Sequence, residues 1–146
     1  MNRKAFNWLK AWKASGNRKP LILLGARQVG KTWLMKAFGD ACYKSVAYIN
    51  CDAEPLAKAL FAEDYNIERI LFSIQAITGV KPEPGETLII FDEIQEAPRG
   101  LHSLKYFQEN AADYHVIAAG SLLGVTLNQG ESFPVGKVDL FDVHPM

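Results

Sequence analysis

GARQVGKTWL, residues 25–34, stands between an apolar run and a stretch with helical spacing, and its reading decides the fold. Residues 25–32 match G-x-x-x-x-G-K-[ST], the P-loop pattern, which binds phosphate where a strand leads into it and a helix leads out. Both neighbours are present. PLILLG, residues 20–25, is short and continuously apolar, as a strand buried on both faces of a parallel sheet should be. From Lys31 to Cys42, the residues Leu34, Met35, Phe38 and Ala41 recur on one side of a helix. Gly25 and Gly30 can adopt backbone angles closed to other residues, so the loop they bracket, Ala26, Arg27, Gln28 and Val29, can turn its amides inward around a phosphate. The helix adds its unsatisfied NH groups and positive end. The Lys31 ammonium can then reach the β and γ phosphates, and the Thr32 hydroxyl can ligate Mg²⁺. At average residue usage, roughly one chain of this length in two hundred shows such a match by chance. A glycine-rich turn without a ligand is therefore the weaker reading.

Outward from this loop, strands and helices alternate. SVAYINC (45–51) reads as a second strand, and Pro55 suits the first turn of a short helix. Asn66 is an N-cap candidate for a helix carrying Ile67, Ile70, Leu71, Ile74 and Ile77, with Gly79 as its stop. KPEPGE (81–86) is a loop, TLIIF (87–91) a third strand, Leu101–Ala112 a helix, YHVIAA (114–119) a fourth strand, and Val138–Val143 a fifth. Strands separated by helices mean βαβ units and right-handed crossovers. The expected class is α/β, a three-layer P-loop NTPase fold with a mainly parallel sheet; the expected strand order, 5-1-4-3-2, is the one common among P-loop ATPases.

The bounds agree with one such domain. The chain has 146 residues, 49% hydrophobic and 22% charged, enough to bury a real core. No run approaches the roughly 20 apolar residues of a membrane span, and Lys10 and Lys13 interrupt the stretch a signal peptide would need. A cytoplasmic protein without a membrane partner is expected. Cys42 and Cys51 lack metal-ligand spacing and read as buried free thiols. The net charge is zero but unevenly spread: residues 1–20 carry six bases and no acid, so the other ten bases face all sixteen acids. Residues 1–17 read as a basic helix with Ala5, Trp8, Leu9 and Trp12 on its packed face and its lysines in water; a nucleic-acid contact is the alternative.

A second constellation separates the reactions open to a P-loop. LIIFDE (88–93) is a buried strand ending in two carboxylates. At the carboxyl end of its strand, Asp92 falls beside the P-loop and can hold Mg²⁺, while Glu93 can orient and deprotonate a water attacking the γ phosphate. Two acids capping a loop is the blander reading. A GTPase would show D-x-x-G where this chain has DEIQ, and NQGE at 128–131 is no guanine-reading N-K-x-D. Hydrolysis of ATP is favoured over GTP chemistry or phosphoryl transfer. In the order 5-1-4-3-2 the fourth strand lies between the P-loop strand and the acidic strand, so Ser121 at its end can face the γ phosphate; otherwise it is a turn residue.

GARQVGKTWL, INCD (49–52), FDEIQ (91–95) and AAGSLL (118–123), in this order, resemble the AAA-type ATPase domain of a large bacterial and archaeal group of ATP-binding proteins, typically longer and carrying a C-terminal domain of uncharacterised function. The likeness covers about residues 18–143. It implies that Gly25–Thr32 bind ATP, that Thr32 and Asp92 hold Mg²⁺, that Lys31, Glu93 and Ser121 serve hydrolysis, and that Gln95 lies near Glu93. Where members continue through G-R-V, this chain reads GKVDLFDVHPM, with Lys137 for the arginine. The lid and the C-terminal domain are expected to be absent from residues 18–146, and no residue is assigned as an arginine finger; Arg27 and Arg99 read as surface residues. Partners on this reading are ATP, a homo-oligomer as a possibility, and the missing domain or another protein. A slow Mg²⁺-dependent ATPase is expected; the alternative is a nucleotide-dependent switch or docking module with little turnover.

Overall fold

The computed structural model describes residues 3–25, 30–62, 64–121 and 136–143. Five strands, β1 (Leu21–Leu24), β2 (Ser45–Asn50), β3 (Thr87–Asp92), β4 (His115–Gly120) and β5 (Asp139–Asp142), form one sheet in the order β2-β3-β4-β1-β5. Every pairing is parallel. This is the expected 5-1-4-3-2 order, read from the other edge. The helices are α1 (Arg3–Ala14), α2 (Lys31–Cys42), α3 (Ala57–Leu60), α4 (Ile67–Thr78) and α5 (Pro98–Asn110), with a 3₁₀ turn at Ile94–Glu96.

Period-two alternation in the strands builds two cores. Leu21, Leu23, Leu88, Ile90, Ile117 and Ala119 point to one face, against Leu34, Met35 and Phe38 of α2 and Ala5, Leu9 and Trp12 of α1. Ile22, Ile49, Ile89, Phe91, Val116 and Ala118 point to the other, against α3, α4 and α5. Strands covered on both faces need no polar side, which is why β1, β3 and β4 read as unbroken apolar runs. Gly39 lets α2 lie close to the sheet, since a Cβ there would stand 2.5 Å from Val46 Cγ2. The helix α1 belongs to its layer: Trp8 stacks on Phe141 with ring centroids 4.3 Å apart, and Trp12 Nε1 donates to the Lys19 carbonyl.

Element ends follow local chemistry. Asn66 caps α4, its side chain accepting from the Arg69 amide at 3.0 Å, and Gly79 ends it at φ 76°. Most bounds shift by a residue or two from expectation, and those around Pro55 and Pro98 show why. Pro55 stands two residues ahead of α3, and α5 begins at Pro98 because proline tolerates the first turn, where no NH bond is needed. Cys51 is buried, as expected, whereas Cys42 is only partly so. Among the described residues no helix is long and apolar enough to cross a membrane.

His115 starts β4, and its Nδ1 lies 2.6 Å from the Tyr43 hydroxyl. Burial first, then the charges of Arg18 and Lys13, hold its pKa down from 6.5 to about 4. The unfolded chain therefore binds a proton here between those values that the native chain does not, and stability falls as pH drops from 6.5 toward 4. Urea midpoints for the chain and for His115→Gln should converge on acidification across that window. Parallel curves would contradict the buried neutral imidazole.

Candidate functional site

The site lies where β1, β3 and β4 end and α2 begins. Gly25, at φ 154°, leaves β1, and Gly30, at φ 79°, is the N-cap of α2, so both glycines occupy positive-φ positions. At Gly30 that left-handed turn is what glycine admits without cost. Ala26, Arg27, Gln28 and Val29 lie outside the described residues.

Lys31 is the first residue of α2 and is only 6% exposed. Its Nζ donates to the Gly25 carbonyl at 2.6 Å and to the Gly120 carbonyl at 3.1 Å, so one ammonium joins the ends of β1 and β4. This is possible because β4 is the neighbour of β1. Ser121, partly buried, directly follows the Gly120 carbonyl that Lys31 meets.

Asp92 ends β3 on the same face as Leu88 and Ile90, which is the α2 face. It is 2% exposed and its oxygens are well partnered. Oδ2 accepts from the Thr32 hydroxyl at 2.5 Å and from the Tyr48 hydroxyl at 2.6 Å, and Oδ1 accepts from the Glu93 amide at 3.0 Å. Glu93 then turns the chain with φ 54° and ψ 48°, the one positive φ outside glycine among the described residues. Such a conformation costs of order 1–3 kcal/mol and persists where the surroundings enforce it. Gln95 Nε2 donates to Glu93 Oε2 at 2.6 Å, fixing the carboxylate's direction.

Lys31, Thr32, Asp92 and Glu93 thus stand together, with Ser121 next to a carbonyl of the same cluster. Tyr48 was not anticipated. Its phenol is held protonated, first by burial and then by the hydrogen bond to Asp92, which fits it to donate. The Lys36 ammonium lies 4.1 Å from its ring centroid. The pattern SVAYINC puts Tyr48 and Asn50 on one face, and β2 beside β3 pairs Asn50 with Asp92. The strand order that sets β2 beside β3 was the signal available. Arg99 donates to the Phe61 carbonyl at 2.8 Å and lies over the Tyr65 ring, away from the site's residues.

The oxygen donors suit a hard cation. A hydroxyl and a carboxylate in contact can take a small divalent ion together with phosphate oxygens, the usual manner of Mg²⁺. Cys51, which follows β2, offers a soft thiol that suits Mg²⁺ poorly; burial first and then Asp92, Glu93 and Glu96 push its pKa up to about 12.

A family model described as an AAA domain matches residues 17–146. No curated protein matches the chain. Among solved structures, the Aeropyrum pernix ORC1 protein in complex with DNA aligns with 99% of this chain and 44% of its own, at TM-score 0.59 and 15% identity. AMPPCP-bound DnaA from Aquifex aeolicus aligns with 98% of this chain and 46% of its own, at TM-score 0.55 and 19% identity. The chain therefore spans less than half the length of either, and at these identities the likeness is one of fold.

Proposed function

The chain belongs to the AAA domain family, and from that premise we propose that it binds Mg²⁺-ATP at the Lys31–Asp92 cluster and hydrolyses it slowly. The observation that carries this reading is the contact of Thr32 with Asp92 beside the buried ammonium of Lys31. The AMPPCP carried by the DnaA structure is a nucleotide of the same class. Gly25–Thr32 form the phosphate cradle. Thr32 and Asp92 would hold Mg²⁺, which would supply neutralisation of charge on the β and γ phosphates.

Each residue then has a physical task. Lys31 exchanges its hydrogen bonds to the Gly25 and Gly120 carbonyls for phosphate oxygens, as charge-assisted bonds are the stronger ones. Glu93, aimed by Gln95, takes the proton from the attacking water. Ser121 is the sensor-like residue at the end of β4. The reading extends to a group of longer AAA-type proteins with a further C-terminal domain, and to a cytoplasmic setting. An arginine from a neighbouring copy or a lid would complete the charge-stabilising set, and such groups contribute about 10³–10⁵ in rate. Phosphate release by the chain on its own should accordingly stay below about 1 s⁻¹, the low end of the ordinary enzyme range. Faster release would contradict the need for such an added arginine.

A second reading, a nucleotide-dependent switch, is favoured by one observation. Lys31 ties β1 to β4 through Gly120, so phosphate binding must loosen a bond adjacent to Ser121. ATP binding without any phosphate release would favour this reading over the first.

Tyr48 supports the proposed metal ligand Asp92, donating to the same carboxylate oxygen that Thr32 meets. Replacing it with Phe keeps the ring over which Lys36 lies and removes one donor to Asp92. Partners behind a metal ligand typically govern 10–100-fold in affinity. Tyr48→Phe should raise the Mg²⁺ concentration for half-maximal ATP binding by about tenfold, with ATP affinity in EDTA unchanged. Equal Mg²⁺ dependence in the two proteins would remove Tyr48 from the site.

A further inference from the structure

At the opposite edge of the sheet, an open cavity of about 480 Å³ is lined by Lys10, Lys13, Ala14, Arg18, Cys42, Gly85 and His115. We infer that this cavity is a second anion site, built to take the phosphates of a polyphosphate chain such as a nucleic-acid backbone.

Its place in the fold separates it from the P-loop. His115 opens β4 and Gly120, which meets Lys31, closes it. The five residue steps from His115 to Gly120, at about 3.3 Å each, hold the two regions roughly 16 Å apart. The inference therefore stands independently of ATP binding.

Charge argues for the ligand. Among the described residues, three bases and no carboxylate line the cavity. Among the described residues none of the three makes an ion pair, and Glu86, next to Gly85, is engaged with Lys44 at 3.3 Å. Nor are these bases simply free in water. Lys13 and Arg18 are half-buried. Arg18 donates to the carbonyls of Lys13 and Ala112, which fixes a guanidinium that keeps further NH donors. Lys13 lies over the Tyr43 ring at 4.8 Å and Lys10 over Phe6 at 5.9 Å, contacts that orient an ammonium without cancelling its charge. Lys10 and Lys13 are three apart on α1 and so share a face.

The arrangement suits a chain of charges better than a single ion. The bases run along α1 and into the segment before β1, and Arg3, exposed one helical face-repeat before Lys10, extends the line. Like charges held side by side repel, and a polyanion laid across them removes that repulsion while releasing its own counterions.

The test uses the full chain carrying Lys31→Met, so that the P-loop does not compete. A fluorescein-labelled 20-mer of thymidylate and inorganic tripolyphosphate are titrated separately at 50 and 200 mM salt. With three bases engaged, oligonucleotide affinity should fall about 20-fold between the two salts. With Lys10→Gln and Lys13→Gln added, the fall should shrink to about threefold and affinity at 50 mM should drop at least tenfold, at an unchanged thermal midpoint. Binding of both ligands with this loss assigns the site to nucleic-acid phosphates. Binding of tripolyphosphate alone, lost in the same variant, assigns it to a free polyphosphate. Affinity unchanged by the two substitutions, or no binding of either ligand at 50 mM salt, overturns the inference.

Discussion

Lys31→Met is expected to weaken ATP binding by about 100-fold or more while leaving the thermal midpoint nearly unchanged. The two halves of this expectation come from the same geometry. The ammonium is buried between two carbonyls, at 2.6 and 3.1 Å, so it is positioned before any phosphate arrives. Hydrogen bonds to charged groups contribute about 1.5–3 kcal/mol each, and losing two of them toward a triphosphate spans 100-fold or more. Stability should change little, because replacing a buried ion with an apolar chain of like length offsets lost bonds with relief from desolvation. Calorimetric titration with ATP, beside thermal unfolding of both proteins, checks it. Retained affinity would remove Lys31 from the phosphate site; a collapse in the midpoint would make its role structural.

Glu93→Gln should show the converse pattern, with ATP affinity held within about threefold and phosphate release lowered by about 10²–10⁴, the range for a positioned general base. Glutamine retains the size and the contact region of Gln95 but cannot accept a proton from water. The backbone supplies an independent check. Glu93 sits at φ 54°, a conformation that glycine adopts freely. Glu93→Gly should therefore stabilise the chain by about 1 kcal/mol while also losing turnover, the pattern of a residue held strained for its chemistry. If the glycine variant is less stable than the parent and both variants turn over normally, Glu93 is a plain turn residue.

Much of this was legible before any coordinates. The unbroken apolar runs at β1, β3 and β4 announce strands covered on both faces, and that burial is observed. Gly30 and Lys31 announce the strand-to-helix turn because few other uses require a glycine and a lysine at that junction. The register of Asp92 against α2 follows from alternation once the strand is placed. What escaped was contact between elements distant in sequence. The expected order 5-1-4-3-2 already set β2 beside β3, but it did not give the register that brings the Tyr48 hydroxyl to Asp92. Arg18 is fixed by the Ala112 carbonyl, 94 residues away, and no local pattern records that. The basic segment was legible as a charge excess, but its concentration around one cavity beside His115 depends on where α1 docks. The start of α5 was missed because APRG offers proline and glycine together, and only packing chooses between a turn and a first helical turn.

On the proposed reading a triphosphate is held where β1 gives way to α2, with a divalent ion shared between Thr32 and Asp92. Equilibrium titration of the chain with ATP, in Mg²⁺ and again in EDTA, tests it most directly. The expected result is saturable binding that Mg²⁺ tightens at least tenfold, with the Mg²⁺ effect abolished in Asp92→Asn. No binding at millimolar ATP, or equal affinity with and without the metal, would contradict it.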